Sequence, residues 1–159
     1  MVGFLATSSP QAPLFIAVLR PSWRRFLHYC QILIADDHPG ICAAVRSRLQ
    51  SRPDLNVCGE ASNGEDLIEK ALRLKPDLII LDVVMPLRDG FSATREIKRV
   101  LPNIPVLLIS TSGDKKTLAE SKLAGAHGFV SKFNLSVELL KAVDALIQGN
   151  TFFPDGLVA

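Results

Sequence analysis

Asp82 closes the run Asp77-Leu78-Ile79-Ile80-Leu81-Asp82, in which four apolar residues without alternation lead into a carboxylate. That is the pattern of a strand covered on both faces. It puts Asp82 at a strand's C-terminal end, the edge at which open α/β sheets gather ligands. A second acidic group, Asp36-Asp37, closes the apolar run Ile32 to Ala35. Ser110, Thr111 and Ser112 follow Ile104 to Ile109, and Lys132 follows Phe129-Val130. Each has an ordinary reading when taken alone: Asp82 as a turn residue before Met85-Pro86, the acid pair as a helix cap, Lys132 as a solvated lysine. Together at one sheet edge they read differently. Clustered carboxylates repel unless something cationic sits among them, and hard oxygen donors of this charge suit Mg²⁺, which keeps several waters and leaves a position for a phosphate oxygen. An aspartate beside such an ion and a lysine is equipped to act as a nucleophile toward a phosphoryl group, a transfer that depends on positioning and charge neutralisation.

The elements that must position these residues can be read from periodicity. The first strand, Ile32 to Ala35, leads through Asp36-Asp37-His38 to Pro39 at a helix start, and Ile41, Val45 and Leu49 recur at helical spacing up to Arg52-Pro53. A second strand, Leu55 to Ala61, is followed by Asn63 as a cap and a helix carrying Leu67, Ile68, Ala71 and Leu72. After the Asp82 strand, Asp89-Gly90 turns the chain into a helix with Ala93, Ile97 and Val100, ended by Pro102. A fourth strand and a helix through Leu118 and Leu123 stop at Gly125, a residue suited to a left-handed C-cap. Phe129-Val130 forms a short fifth strand, and Val137 to Ile147 the last helix. Five strand-helix units with short connections imply a parallel sheet with helices on both faces.

Composition sets the remaining bounds. With 159 residues, 48% hydrophobic and 21% charged, one folded domain is expected. Residues 1 to 30 hold Arg20, Arg24 and Arg25 and no acid, so with +2 overall the rest of the chain is net −1, and its pI says nothing about DNA binding. Cys30, Cys42 and Cys58 lack metal-type spacing and fit packing thiols in a reducing, cytoplasmic compartment. The apolar run Leu14 to Leu19 is too short to span a bilayer, and its arginines follow it, against the order of an export signal. Residues 1 to 30 are therefore expected to be a disordered or mis-assigned extension, with an interfacial anchor through Trp23, Phe26 and Leu27 as the minority reading.

The segments ILIADDHP, GEASNGEDLIEKA, PDLIILDVVMPLRDG, VLLIS and AGAHGFVSK resemble the receiver domain of two-component response regulators, specifically the NarL/FixJ (LuxR-type) class, over about residues 31 to 153. The resemblance implies a flavodoxin-like, doubly wound five-stranded parallel sheet of order 2-1-3-4-5. It makes residues 31–150 the receiver and residues 151–159 a tail or the start of a linker. It also implies roles. Asp82 is the phosphoacceptor for a sensor histidine kinase or a phosphotransfer protein. Asp37 ligates Mg²⁺ directly, Asp36 partly through water, and Val84 through its backbone carbonyl. Lys132 neutralises the acyl phosphate, Ser110 hydrogen-bonds the phosphoryl oxygen, and Phe129 is the aromatic that changes rotamer with it. Thr111 and Ser112 are further candidate contacts of the phosphoryl group. The readout is a protein-protein surface on the fourth helix, fifth strand and fifth helix, with homodimerisation on phosphorylation and a link to transcription regulation. Such a protein takes part in its own phosphotransfer and autodephosphorylation without being an enzyme in the ordinary sense.

The sequence departs from the family at three points. Phe133 stands where many receivers have proline after the lysine, Phe129 lacks a tyrosine hydroxyl, and the helix-turn-helix domain that usually follows is not in the sequence, so DNA binding by this chain is not expected. Three other readings compete, one of them a flavodoxin-like flavin binder, in which Asp36-Asp37 would repel the phosphate without a metal. A receiver that no longer accepts phosphate would serve as an interaction module. A phosphatase of the haloacid dehalogenase type would need an acid two residues after Asp82, where Val84 stands. His38 and His127 are read as a surface residue lining the site and a structural residue.

Overall fold

The structure, a computed structural model, describes residues 29–154. The expectations for residues 1 to 28, the candidate anchor included, lie outside the described residues, as do those for residues 155 to 159. The strands are β1 (Cys30–Ala35), β2 (Leu55–Ala61), β3 (Leu78–Asp82), β4 (Val106–Ser110) and β5 (Gly128–Ser131). The helices are α1 (Pro39–Gln50), α2 (Gly64–Leu74), α3 (Gly90–Val100), α4 (Lys115–Ala124) and α5 (Leu135–Ile147), with a 3₁₀ turn over Lys132–Asn134 before α5. All strands pair in parallel, in the order β2-β1-β3-β4-β5. This is the flavodoxin-like arrangement expected from the sequence.

Side chains of successive strand residues point to opposite faces, and both faces of this sheet are apolar. Ile32, Ile34, Leu78, Ile80, Leu107, Ile109 and Val130 pack with α1 and α5. Leu33, Ala35, Ile79, Leu81, Val106, Leu108 and Phe129 pack with α2, α3 and α4. Burying each large aliphatic side chain contributes about 1.5–3 kcal/mol. A one-residue slip would still bury apolar groups, but it would withdraw Asp82 from the edge. Hydrogen bonds at the two ends of β3 therefore hold its register. Asp77 and Gln31 exchange a pair at one end (2.7 and 2.9 Å), and Val83 N–H donates to Ile109 O (3.0 Å) at the other.

Local chemistry sets the helix ends. The Asn63 side chain accepts from the N–H groups of Glu65 and Asp66, Asp89 from Ser92 and Asp114 from Thr117, each filling vacancies in a first turn. Gly125 closes α4 with φ +94°, as expected. Two apolar residues assigned to helix cores face solvent instead. Leu123 is 83% exposed and Leu72 46%. Leu123 follows Leu118 by five positions, off the buried stripe, where Ser121 and Ala124 occupy the interface. Leu72 sits one position, about 100°, away from buried Ala71. β1 begins at Cys30, two residues before Ile32, because Cys30 N–H bonds Asp54 O at 2.8 Å.

After α5 the chain returns to the sheet. Phe152 pairs with Gly128 beside β5: Phe129 N–H donates to Phe152 O (2.7 Å) and Phe152 N–H to His127 O (3.0 Å). Among the described residues no helix is long and apolar enough to cross a membrane.

Candidate functional site

Asp82 is the last residue of β3, and only 2% of it is exposed. Asp36 follows β1 on the adjacent strand and is 3% exposed. Lys132, delivered by β5, reaches between them: its Nζ lies 2.9 Å from Asp36 Oδ2 and 3.0 Å from Asp82 Oδ2. Apart from that ammonium, neither of those buried oxygens has a hydrogen-bond partner. Asp82 Oδ1 receives a long one, 3.3 Å, from Val84 N–H, and Asp36 Oδ1 receives His38 N–H at 2.8 Å. Burial pushes the Asp82 carboxyl above the ordinary carboxylate value, against the hydrogen-bonding pull of Lys132, and the charge of Asp36 pushes the same way as burial. Burial alone would lower the Lys132 ammonium, but Asp36 and Asp82 together outweigh it and hold the ammonium above its usual range.

Asp37 is the exposed member of the acidic set. One oxygen from each of Asp36, Asp37 and Asp82 and a nitrogen of His38 lie within 4.8 Å of one another. Three carboxylates face one ammonium here, so Lys132 leaves negative charge unmatched. A hard divalent cation with oxygen ligands fits that donor set. Val84 holds its side chain in solvent, 68% exposed, at the position where a haloacid-dehalogenase-type phosphatase would need its acid.

The hydroxyl-bearing loop lies one strand further along. Asp82 is in register with Ile109, so Ser110 extends just beyond it on β4. Ser110 is buried, and its Oγ accepts Ser112 N–H at 3.1 Å. The Ser112 hydroxyl donates to Asp114 Oδ2, at the cap of α4, and Thr111 is exposed. Phe129 is fully buried, its ring edge 3.7 Å from where a Cβ on Gly113 would stand, beneath the same loop. His127 plays a structural part, its Nδ1 accepting Val106 N–H. Phe133 is 80% exposed, and the described residues contain no cis peptide bond. The three thiols are poor nucleophiles: burial raises all three, Cys30 to about 12.

Two supporting residues escape a reading of the sequence alone. Gly90, legible there only as part of a turn, packs onto the backbone of Asp82: a Cβ there would lie 2.3 Å from Asp82 O, while Gly90 N–H donates to Val83 O at 2.8 Å. The Asp-Gly pair is its visible signal. Leu87 adopts φ +68°, with Arg88 N–H bonded to Pro86 O, a γ-turn of positive φ that a bulky residue enters only with strain. Nothing in the residue type announces it.

Residues 32–144 match the response regulator receiver domain family. The chain is 34% identical over 123 residues to the transcriptional regulatory protein YxjL of Bacillus subtilis, a match that covers 77% of this chain and 56% of YxjL. It thus spans little more than half of that relative's length. Among solved structures, the isolated receiver domain of RcsB from Salmonella enterica serovar Typhimurium, determined with the phosphomimetic BeF3-, superposes with a TM-score of 0.75 at 28% identity, covering 80% of this chain and 95% of that one. A LuxR-family two-component response regulator from Aurantimonas superposes with a TM-score of 0.74 at 26% identity, over 77% and 87% of the two chains. The chain belongs to the response regulator receiver domain family of two-component systems.

Proposed function

We propose that Asp82 accepts a phosphoryl group from the phosphohistidine of a sensor kinase or phosphotransfer protein, and that the resulting charge switches a protein-protein surface. The observation that carries this is the Lys132 ammonium held 2.9 and 3.0 Å from two buried carboxylates, one of them at the C-terminal end of the central strand. An Asp82 oxygen attacks phosphorus, the bond from phosphorus to the donor imidazole breaks, and that imidazole leaves with the electron pair. In this reading Asp36 and Asp37, with Asp82 and the Val84 carbonyl, hold Mg²⁺, whose chemistry is to neutralise charge on the phosphoryl oxygens. Lys132 stays close to Asp82 and compensates the acyl phosphate. Ser110 turns its hydroxyl from Ser112 N–H to a phosphoryl oxygen, and Phe129 repacks beneath the loop, passing the change to α4, β5 and α5. Thr111 and Ser112 flank that path.

The receiver unit in this proposal extends slightly past the expected 31–150, because Cys30 opens β1 and Phe152 bonds back to β5. Homodimerisation on phosphorylation and a part in transcription regulation belong to the same reading, as does a cytoplasmic setting. The protein is a phosphoacceptor that takes part in its own transfer and autodephosphorylation. Asp82→Asn is expected to abolish hydroxylamine-sensitive acyl-phosphate formation from acetyl phosphate with Mg²⁺, measured by phosphate-affinity electrophoresis. Labelling retained in that variant would remove Asp82 as acceptor.

A further inference from the structure

β5 is the outermost strand of the sheet, and an outer strand leaves one row of backbone groups unpaired. Here the chain covers that row with its own continuation. Gly149, at φ +84°, turns the backbone at the end of α5, its N–H bonded to Leu146 O and that of Asn150 to Ala145 O. Phe152 then lies parallel to β5 opposite Gly128, its carbonyl accepting Phe129 N–H at 2.7 Å and its N–H donating to His127 O at 3.0 Å. A Cβ at Gly128 would stand 3.0 Å from Phe152 O, so the glycine lets the segment lie this close. The two rings pack on opposite faces of the sheet. Phe152 joins the α1 and α5 side, and Phe153 the side that holds Phe129, with Lys122 Nζ of α4 4.9 Å from its ring centre. Pro154 has no N–H with which to extend the pairing. Residues 149–153 thus form a strap from the end of α5 across the edge of β5 to α4, held to β5 by two backbone bonds and flanked by two half-buried rings.

We propose that this strap is a phosphorylation-sensitive cover, which lies on the β5 edge while Asp82 is unmodified and leaves it when Asp82 carries a phosphoryl group. The inference rests on the acceptor role proposed for Asp82 and adds a named moving part to it. One bond of the strap is made by the backbone of Phe129, whose ring lies beneath the loop that follows Ser110. When that ring repacks, the surface under Phe153 changes and the bond to Phe152 O has to be made from a shifted residue. A segment tied by so few contacts belongs to the low-stability end of a fold, where a small change in its footing decides whether it stays. While it stays, it lies across the α4, β5 and α5 face through which the change at Asp82 is proposed to reach a protein partner. Such coupling is reciprocal: if phosphorylation loosens the strap, a loosened strap favours the phosphorylated state by the same factor.

The test is amide hydrogen exchange of the full chain, read by NMR at Phe129 and Phe152, with Mg²⁺ alone and with Mg²⁺ plus beryllofluoride as the phosphoryl stand-in. Fluorine NMR follows beryllofluoride binding in the same samples. Both amides should be protected in Mg²⁺ alone and exchange about fivefold faster or more once beryllofluoride is bound, the lower end of the usual coupling between two sites. Amides of the central strand β3 serve as the control and should not change. Phe153→Ala removes the ring beside α4 without touching the acidic edge. It should exchange faster at both amides before beryllofluoride is added, and should bind beryllofluoride more tightly by up to that same factor. A ring that merely packs would leave that affinity where it was. Unchanged protection at Phe129 and Phe152 with beryllofluoride bound overturns the strap proposal and leaves the acceptor role standing. Equal beryllofluoride affinity in Phe153→Ala and the parent overturns it as well. A parent protein that binds no beryllofluoride overturns both, because the strap then has no phosphoryl group to answer to.

Discussion

Two cations in this protein each hold a pair of carboxylates, at opposite edges of the same sheet, and they differ in almost every physical respect. At the C-terminal edge Lys132, with a side chain only 9% exposed, faces Asp36 and Asp82. At the N-terminal edge Arg52 joins Asp54, through bonds of 2.7 and 2.8 Å, to Asp144 on α5 at 3.1 and 3.2 Å. The guanidinium fork satisfies its partners in solvent, and the hydrogen bond from Arg52 holds the Asp54 carboxyl below its ordinary value. The lysine is a point charge shared between two buried oxygens that have no other partner, and burial raises Asp82. The same stoichiometry is a staple where donors and solvent complete it and leaves charge unmatched where they do not. An incompletely matched cluster is what a phosphoryl group and a cation can enter.

The comparison breaks most visibly at Lys132. Replacing it with methionine leaves two buried carboxylates facing each other, and removal of one partner from a buried pair costs about 3–5 kcal/mol. We expect Lys132→Met to lose that much in urea unfolding at pH 7. A cost no larger than that of cutting the Arg52 staple would erase the distinction. Gly90→Ala comes next. Its added methyl would stand 2.3 Å from Asp82 O, an overlap with backbone that no rotamer relieves. Overpacking of this kind costs about 1–3 kcal/mol. Because the displaced atoms belong to Asp82, the proposed acceptor, acyl-phosphate labelling should slow as well. A stable Gly90→Ala protein labelling at the parent rate would show that α3 does not seat the acceptor.

Much of this arrangement is legible in the sequence, for a physical reason. Apolar runs such as Leu78 to Leu81 bury both faces of a strand, and their chemistry-bearing ends then share one edge. Asp36, Asp82 and Lys132 are brought together by topology alone, and the structure places all three in contact. The features that stay hidden depend on three-dimensional approach. Gly90 matters because a helix start lies against the Asp82 carbonyl, and a single Asp-Gly pair does not say what it will touch. Leu87 holds a left-handed backbone that its residue type disfavours, and Leu123 looks like core until α4 is seen to approach through Ser121 and Ala124. The Arg52 staple joins residues 92 positions apart, so no local pattern announces it.

The two clusters should also differ in the sign of their pH dependence. A carboxyl raised in the folded state contributes stability that is present below its ordinary value of 3.8 and is lost as pH rises through the raised value. Asp82→Asn removes that loss. Its melting temperature should match the parent's in acid and exceed it at neutral pH, with Asp36 still pairing Lys132. A difference that does not vary with pH would mean that Asp82 is not strained by its burial.

Arg52→Ala is the smallest and the opposite case. The side chains of Asp54 and Asp144 are 54% and 44% exposed, and each such ion pair contributes only about 0.2–1 kcal/mol. A carboxyl held below its ordinary value contributes stability that is present above 3.8 and is lost as pH falls through the depressed value. The parent should therefore exceed Arg52→Ala in melting temperature near neutrality, and the gap should close in acid and shrink in high salt. Acyl-phosphate formation at Asp82 should be unchanged, because the guanidinium lies at the far edge of the sheet. If instead Arg52→Ala slows labelling, the α1 and α5 contacts that Arg52 ties together transmit to the acidic edge, and the two clusters work as one.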